Sequence, residues 1–114
     1  MKKFILIVLV SLIGISVQAQ EKKSKNKKVV IKVAGNCGMC EKRIEKAAFS
    51  VKGVKDAEWH VDCQDIHLVI DETKCSADDV AKAIAKAGHD TGSVKADDAV
   101  YDKLHGCCNY QRIK

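Results

Sequence analysis

An α+β fold of the split βαβ, ferredoxin-like kind is predicted, a four-stranded antiparallel sheet with two helices on one face. Two features of the sequence predict it. Apolar residues alternate at Val29, Ile31 and Val33, again at Ala57, Trp59 and Val61, and again at Ile66, Leu68 and Ile70, the period of half-buried strands. Between and after these runs, apolar residues recur at helical spacing, at Cys40, Ile44, Ala47, Ala48 and Val51 and then at Ala77, Val80, Ala81, Ile84 and Ala87.

The elements follow in order. Lys28 to Val33 is the first strand, and a glycine-containing turn leads to a helix from Met39 or Cys40 to about Lys52, with Glu41, Lys42, Arg43, Glu45 and Lys46 on its solvent side. Gly53 is the expected helix stop. Val54 to Val61 and Ile66 to Ile70 form a hairpin around Asp62-Cys63-Gln64-Asp65. Ser76 begins the second helix, with Asp78 and Asp79 in its first turn, and Gly88 ends it. His89 to Val94 supplies a short fourth strand, weakened by Gly92. From Asp98 to His105 a short helix leads into Gly106-Cys107-Cys108, a Cys-rich C-terminal extension.

The chain has 114 residues, enough for one domain and a modest core. Met1-Lys2-Lys3, the apolar run Phe4 to Val17 and the small residue Ala19 have the three parts of a secretory signal, and the run is shorter than the ~18 or more residues that span a membrane. The expected organisation is a signal over 1–19, a Lys-rich leader over 20–27, the domain over 28–95 and the extension over 96–114. Export to the periplasm follows. The formal charge is +5, and much of the excess lies in the solvated segment Lys22 to Lys28. Two Phe, two Tyr and one Trp offer no stacking platform for bases, which argues against nucleic acid as a partner.

All six cysteines follow the signal, as C-x-x-C, as single residues and as a C-C pair. A C-x-x-C bridge closes too small a loop to staple a fold, and adjacent cysteines bridge only with strain. Metal binding fits the pattern better. Cys37 falls in the turn and Cys40 in the first helical turn, so both sulfurs can face one point above a helix N-terminus, where backbone N–H groups favour thiolate. Paired thiolates suit soft or borderline ions, Cu(I), Hg(II) or Zn(II).

On Gly35-Asn36-Cys37-Gly38-Met39-Cys40 after strand one, Val51-Lys52-Gly53-Val54 before strand two and Ala87-Gly88-His89 after helix two, the segment from about Lys27 to Val94 resembles the heavy-metal-associated domain. That family includes copper chaperones, domains of metal-transporting P-type ATPases and a periplasmic mercury-binding protein. The resemblance implies metal ligation by Cys37 and Cys40, near-linear coordination of one soft ion at an exposed rim, and transfer by ligand exchange to a membrane transporter or another metal-binding domain. It implies a monomeric carrier and no enzyme. The chain departs from the family pattern in one place. Gly35 stands where a methionine usually tucks beneath the loop, and Met39 lies between the cysteines instead.

Further ligands are open at this point. The topology brings Cys63 and His89 to the same sheet edge as Cys37 and Cys40, places Cys75 at the opposite edge, and sets His60 and His67 on the polar face of the hairpin. His105, Cys107 and Cys108 could share the first site, make a second, or form a disulfide, for instance to Cys75. Lys42, Arg43 and Lys46 form a basic flank suited to an acidic partner. Two other functions use the same residues. A thiol-disulfide oxidoreductase is disfavoured because the chain has no proline to face the motif. A structural zinc module would join Cys37 and Cys40 to Cys107 and Cys108.

Overall fold

The computed structural model describes residues 23–104 and 109–113. Strand β1 (Lys27–Lys32), helix α1 (Gly38–Phe49), strands β2 (Val54–His60) and β3 (Asp65–Ile70), helix α2 (Ala77–Lys86) and the short helix α3 (Asp98–Asp102) follow in that order. Antiparallel pairing gives the sheet order β1-β3-β2. Alternation then does what the sequence predicts. Ala57, Trp59, Ile66, Leu68 and Ile70 are buried on one face, together with Val33 beyond the end of β1. Cys40, Ile44 and Ala48 of α1 and Val80 and Ile84 of α2 complete the same core.

Helix α2 starts as expected, with a reciprocal capping box. Ser76 Oγ accepts from the Asp79 amide at 3.2 Å and the Asp79 carboxylate accepts from the Ser76 amide at 2.9 Å. Helix α1 stops at Phe49 and not near Lys52. Ser50 caps it, its hydroxyl donating to the Ala47 carbonyl at 2.5 Å, a local bond that competes with another helical turn. Gly53 takes a positive φ of 109° in the turn beyond.

Among the described residues the sheet has three strands and not four. The expected fourth strand is reduced to one bridge, Val33 to Thr91, flanked by Ala34 N–H to Asp90 O at 2.9 Å and Gly92 N–H to Lys32 O at 3.0 Å. Thr91 is the reason. Its amide and hydroxyl both donate to Val94 O, and its Oγ1 accepts from Val94 N at 2.9 Å, so the chain closes a tight turn where a ladder would continue.

The described residues after Val94 are held against the rest of the chain through Asp90 and Tyr110, both buried. Arg112 Nε and Nη2 donate to the two Asp90 oxygens at 3.0 and 2.9 Å, and the amides of Ala96 and Ile113 donate to the same carboxylate. The Tyr110 hydroxyl accepts from Asp90 N at 2.8 Å and donates to Gly88 O at 2.6 Å. Burial above all pushes its pKa up to about 12, so the phenol remains a donor across the neutral range. Leu104 lies so close over Gly88 that a Cβ there would meet it at 3.0 Å. The helix expected over 98–105 ends at Asp102, and the cluster His105-Gly106-Cys107-Cys108 lies outside the described residues.

Candidate metal centre

Cys37 is the N-cap of α1, with extended backbone (φ −150°, ψ 179°), and its carbonyl accepts the Glu41 amide at 3.0 Å to open the helix. Its side chain makes no capping bond. Cys40 stands one turn along, and the spacing of three brings both sulfurs to the same side of the first turn. The two Sγ atoms are 3.7 Å apart, and neither cysteine is in a disulfide. One ion about 2.3 Å from each sulfur spans separations up to about 4.6 Å, so the pair fits a common ion. Cys40 is fully buried and Cys37 half-buried. Cys40 belongs to the core, and Cys37 packs against it while keeping part of its surface open to solvent.

The loop that carries Cys37 rests on Trp59. A Cβ at Gly35 would lie 2.7 and 2.9 Å from the benzo carbons of the indole and 3.2 Å from Ile44 Cδ1. The ring cannot yield, because it is buried and its Nε1 donates to Val33 O at 3.0 Å. Trp59 therefore fills the space beneath the loop, and Gly35 is small so that the backbone can approach it. Gly35→Ala is expected to destabilise the protein by about 1–3 kcal/mol, the cost of overpacking. Urea midpoints would measure it. In a Trp59→Phe background, which lacks the benzo ring, the same substitution should have a much smaller effect.

Two further side chains hold the loop. Gln64, at positive φ of 55°, accepts the Gly35 amide on Oε1 at 2.9 Å while its carbonyl accepts Val33 N–H at 2.9 Å. His89 is fully buried, with Nδ1 3.0 Å from Ala34 O. A carbonyl only accepts, so Nδ1 carries the proton. Burial first, and then the Arg43 charge, push the imidazole pKa below its usual value against the Ala34 bond and the Asp90 charge, and the ring is neutral at pH 7. It also stacks on Tyr110 with centroids 5.0 Å apart. His89 Nε2 is buried without a hydrogen-bond partner among the described residues.

Among the described residues no group of three or more His, Cys, Asp or Glu side chains converges on a common point. Neither Cys63, exposed in the hairpin, nor His89 makes a third ligand with the thiol pair in this arrangement. Cys75 is a buried thiol, its pKa raised by burial and by the Asp79 and Asp71 charges, as an inert core residue requires. The basic flank is smaller than the sequence suggests. Lys42 and Lys46 are exposed, but Arg43 is turned inward, with Nη1 buried, and its charge reaches His89. No local pattern marks Trp59 or Gln64 as holding the loop, since both reach it from positions distant in sequence. The signal available for Trp59 was Gly35 itself, a residue too small to fill the space a methionine usually takes.

No protein-family model matches the sequence, and no curated protein matches it significantly. Solved structures do match. Oxidised MerP from Ralstonia metallidurans CH34 aligns with 26% identity over 59% of this chain and 94% of its own, with a TM-score of 0.56. A copper binding domain from HMA7, a P-type ATPase, aligns with 25% identity over 62% of this chain and 96% of its own, with a TM-score of 0.55. The CopZ metallochaperone shares the fold at 24% identity and a TM-score of 0.55, over 57% of this chain and 98% of its own. The C-x-x-C pair at the helix start, set in the fold these neighbours share, makes this a domain similar to the heavy-metal-associated ones.

Proposed function

We propose that this protein is an exported carrier of soft metal ions that takes one Cu(I) as cargo between Cys37 and Cys40 and passes it to a membrane transporter or another metal-binding domain. The observation that carries the reading is the pair of sulfurs 3.7 Å apart, one buried and one partly buried. Two thiolates are the preferred set for Cu(I), and Hg(II) is the second ion they suit. The partial exposure of Cys37 lets an incoming thiolate displace it before Cys40 lets go. The copper binding domain from HMA7 among the structural neighbours supports copper as the ion. The protein acts as a monomer and catalyses no reaction. Cleavage after Ala19 would release residues 20–114, with a leader over 20–27, the domain over 28–95 and the extension over 96–114.

Structural zinc prefers four closed protein ligands, and among the described residues only two thiols meet. The direct test is a Cu(I) titration of the reduced protein against a competing chelator, followed by X-ray absorption. One equivalent bound by two sulfurs is expected. A four-sulfur Zn(II) complex that displaces Cu(I), or no tight Cu(I) binding, would overturn the reading.

A further inference from the structure

The sheet face turned away from the helices holds four chemically active side chains that the thiol site does not use. In the β2–β3 register Glu58 faces His67 and His60 faces Asp65. All four alternate with the buried Ala57, Trp59, Ile66 and Leu68, so they share the outer face. The result is a two-by-two checkerboard with the imidazoles on one diagonal and the carboxylates on the other. The two rings lie edge to face with centroids 4.7 Å apart. Each imidazole has a carboxylate from its own strand, His67 Nε2 to Asp65 Oδ1 at 3.1 Å and His60 Nε2 to Glu58 Oε1 at 3.7 Å.

This is the layout of a histidine pair prepared for a cation. Asp65 bonds His67 Nε2, which fixes that tautomer and leaves the lone pair on Nδ1, the way metal-ligating histidines are oriented, while Glu58 at 3.7 Å makes an ionic contact with His60 and no hydrogen bond. Nitrogens that each reach an ion at ~2.0–2.1 Å must come within about 4 Å of one another, and because the rings lie edge to face, one of these exposed imidazoles has to turn about its side-chain bonds to bring both lone pairs to one point. Both rings are accessible, with side-chain exposures of 41% and 51%. The carboxylates add negative charge beside them.

We propose that His60 and His67 form a second, solvent-facing site for a borderline divalent cation of the Zn(II), Ni(II) or Cu(II) class, with Asp65 orienting His67, Glu58 adding negative charge beside His60, and water completing the coordination. Imidazole selects such ions, whereas the thiol pair selects soft monovalent copper, so one small sheet would sort two classes of metal on opposite faces. With two protein ligands the site is weak and exchanges quickly. It is independent of the carrier function argued for Cys37 and Cys40.

Paramagnetic Ni(II) added to the reduced full chain tests this, because line broadening in amide and histidine-ring NMR spectra maps each bound ion by position. Broadening centred on Glu58, His60, Asp65 and His67, reversed by excess Zn(II), is expected. His60→Gln and His67→Gln should each weaken this binding by at least about tenfold, and Asp65→Asn by about tenfold, the usual loss for an orienting partner. The amide spectra of these surface variants report that the fold is kept. Broadening confined to the cysteines or to residues 105–108, an unchanged response in His67→Gln, or no broadening at millimolar Ni(II) would overturn the proposal.

Discussion

Replacing Cys40 by serine is expected to lower Cu(I) affinity by about a thousandfold or more while leaving a folded protein. On the carrier reading Cys40 supplies half of the coordination of the cargo, and a serine hydroxyl is a hard, neutral oxygen with little affinity for a soft ion. A thousandfold corresponds to about 4 kcal/mol at 1.4 kcal/mol per decade. The fold should tolerate the change. Cys40 is fully buried in the core beside Ile44, so an introduced hydroxyl needs a partner, and the N-cap carbonyl of Cys37, three residues back, can accept it. About 1–2 kcal/mol of destabilisation remains for burying the more polar group. Cys37→Ser, at a half-buried N-cap where serine is itself favoured, should lose metal to a similar degree with little change in stability. Chelator competition gives the affinities and urea unfolding the stabilities. Near-normal Cu(I) affinity in both variants would move the cargo away from this pair.

Much of the fold was legible because it is written in local patterns. Alternation placed β2 and β3, and helical spacing with Ser76 and Asp79 placed α2 to within a residue. The thiol pair was legible for the same reason, since a spacing of three at a helix start fixes where both sulfurs point. What remained hidden depends on contacts distant in sequence. Trp59 supports Gly35 across 24 residues and Arg112 meets Asp90 across 22. Nothing near Asp90 announces that its carboxylate will be buried. The fourth strand failed on a local competition, the bonds Thr91 makes to Val94, which outweigh a weak strand already marked by Gly92. Arg43 misled because it borders the apolar stripe of α1, where a long side chain can turn either way.

Arg112→Ala is expected to destabilise the protein by about 3 kcal/mol or more, a large part of the roughly 5–15 kcal/mol that holds a domain together. Asp90 is fully buried, and the guanidinium meets both of its oxygens. Arg112 also bonds Asp98 and Ala96 O and lies 4.8 Å over the Tyr101 ring. Alanine would leave a dehydrated carboxylate with only the Ala96 and Ile113 amides, and removing one partner of such a pair costs about 3–5 kcal/mol. The arginine is about a quarter exposed, which places the effect at the lower end. Arg112→Lys keeps the charge but loses the two-pronged geometry and should fall between. The pH dependence distinguishes this mechanism from a loss of packing. Burial raises the Asp90 pKa, but the Arg112 bond, the two amides and the Arg112 charge outweigh it and hold the group below the ordinary 3.8. A depressed folded-state pKa means the stabilisation is complete above the unfolded value and is lost as pH falls through the folded one. In Arg112→Ala burial has no cation against it, the Asp90 pKa rises above the unfolded value, and protonation favours the folded state. Urea midpoints of parent and variant should therefore converge on acidification from pH 7 toward pH 4. Parallel midpoints across that range would show that the carboxylate's charge is not what Arg112 compensates.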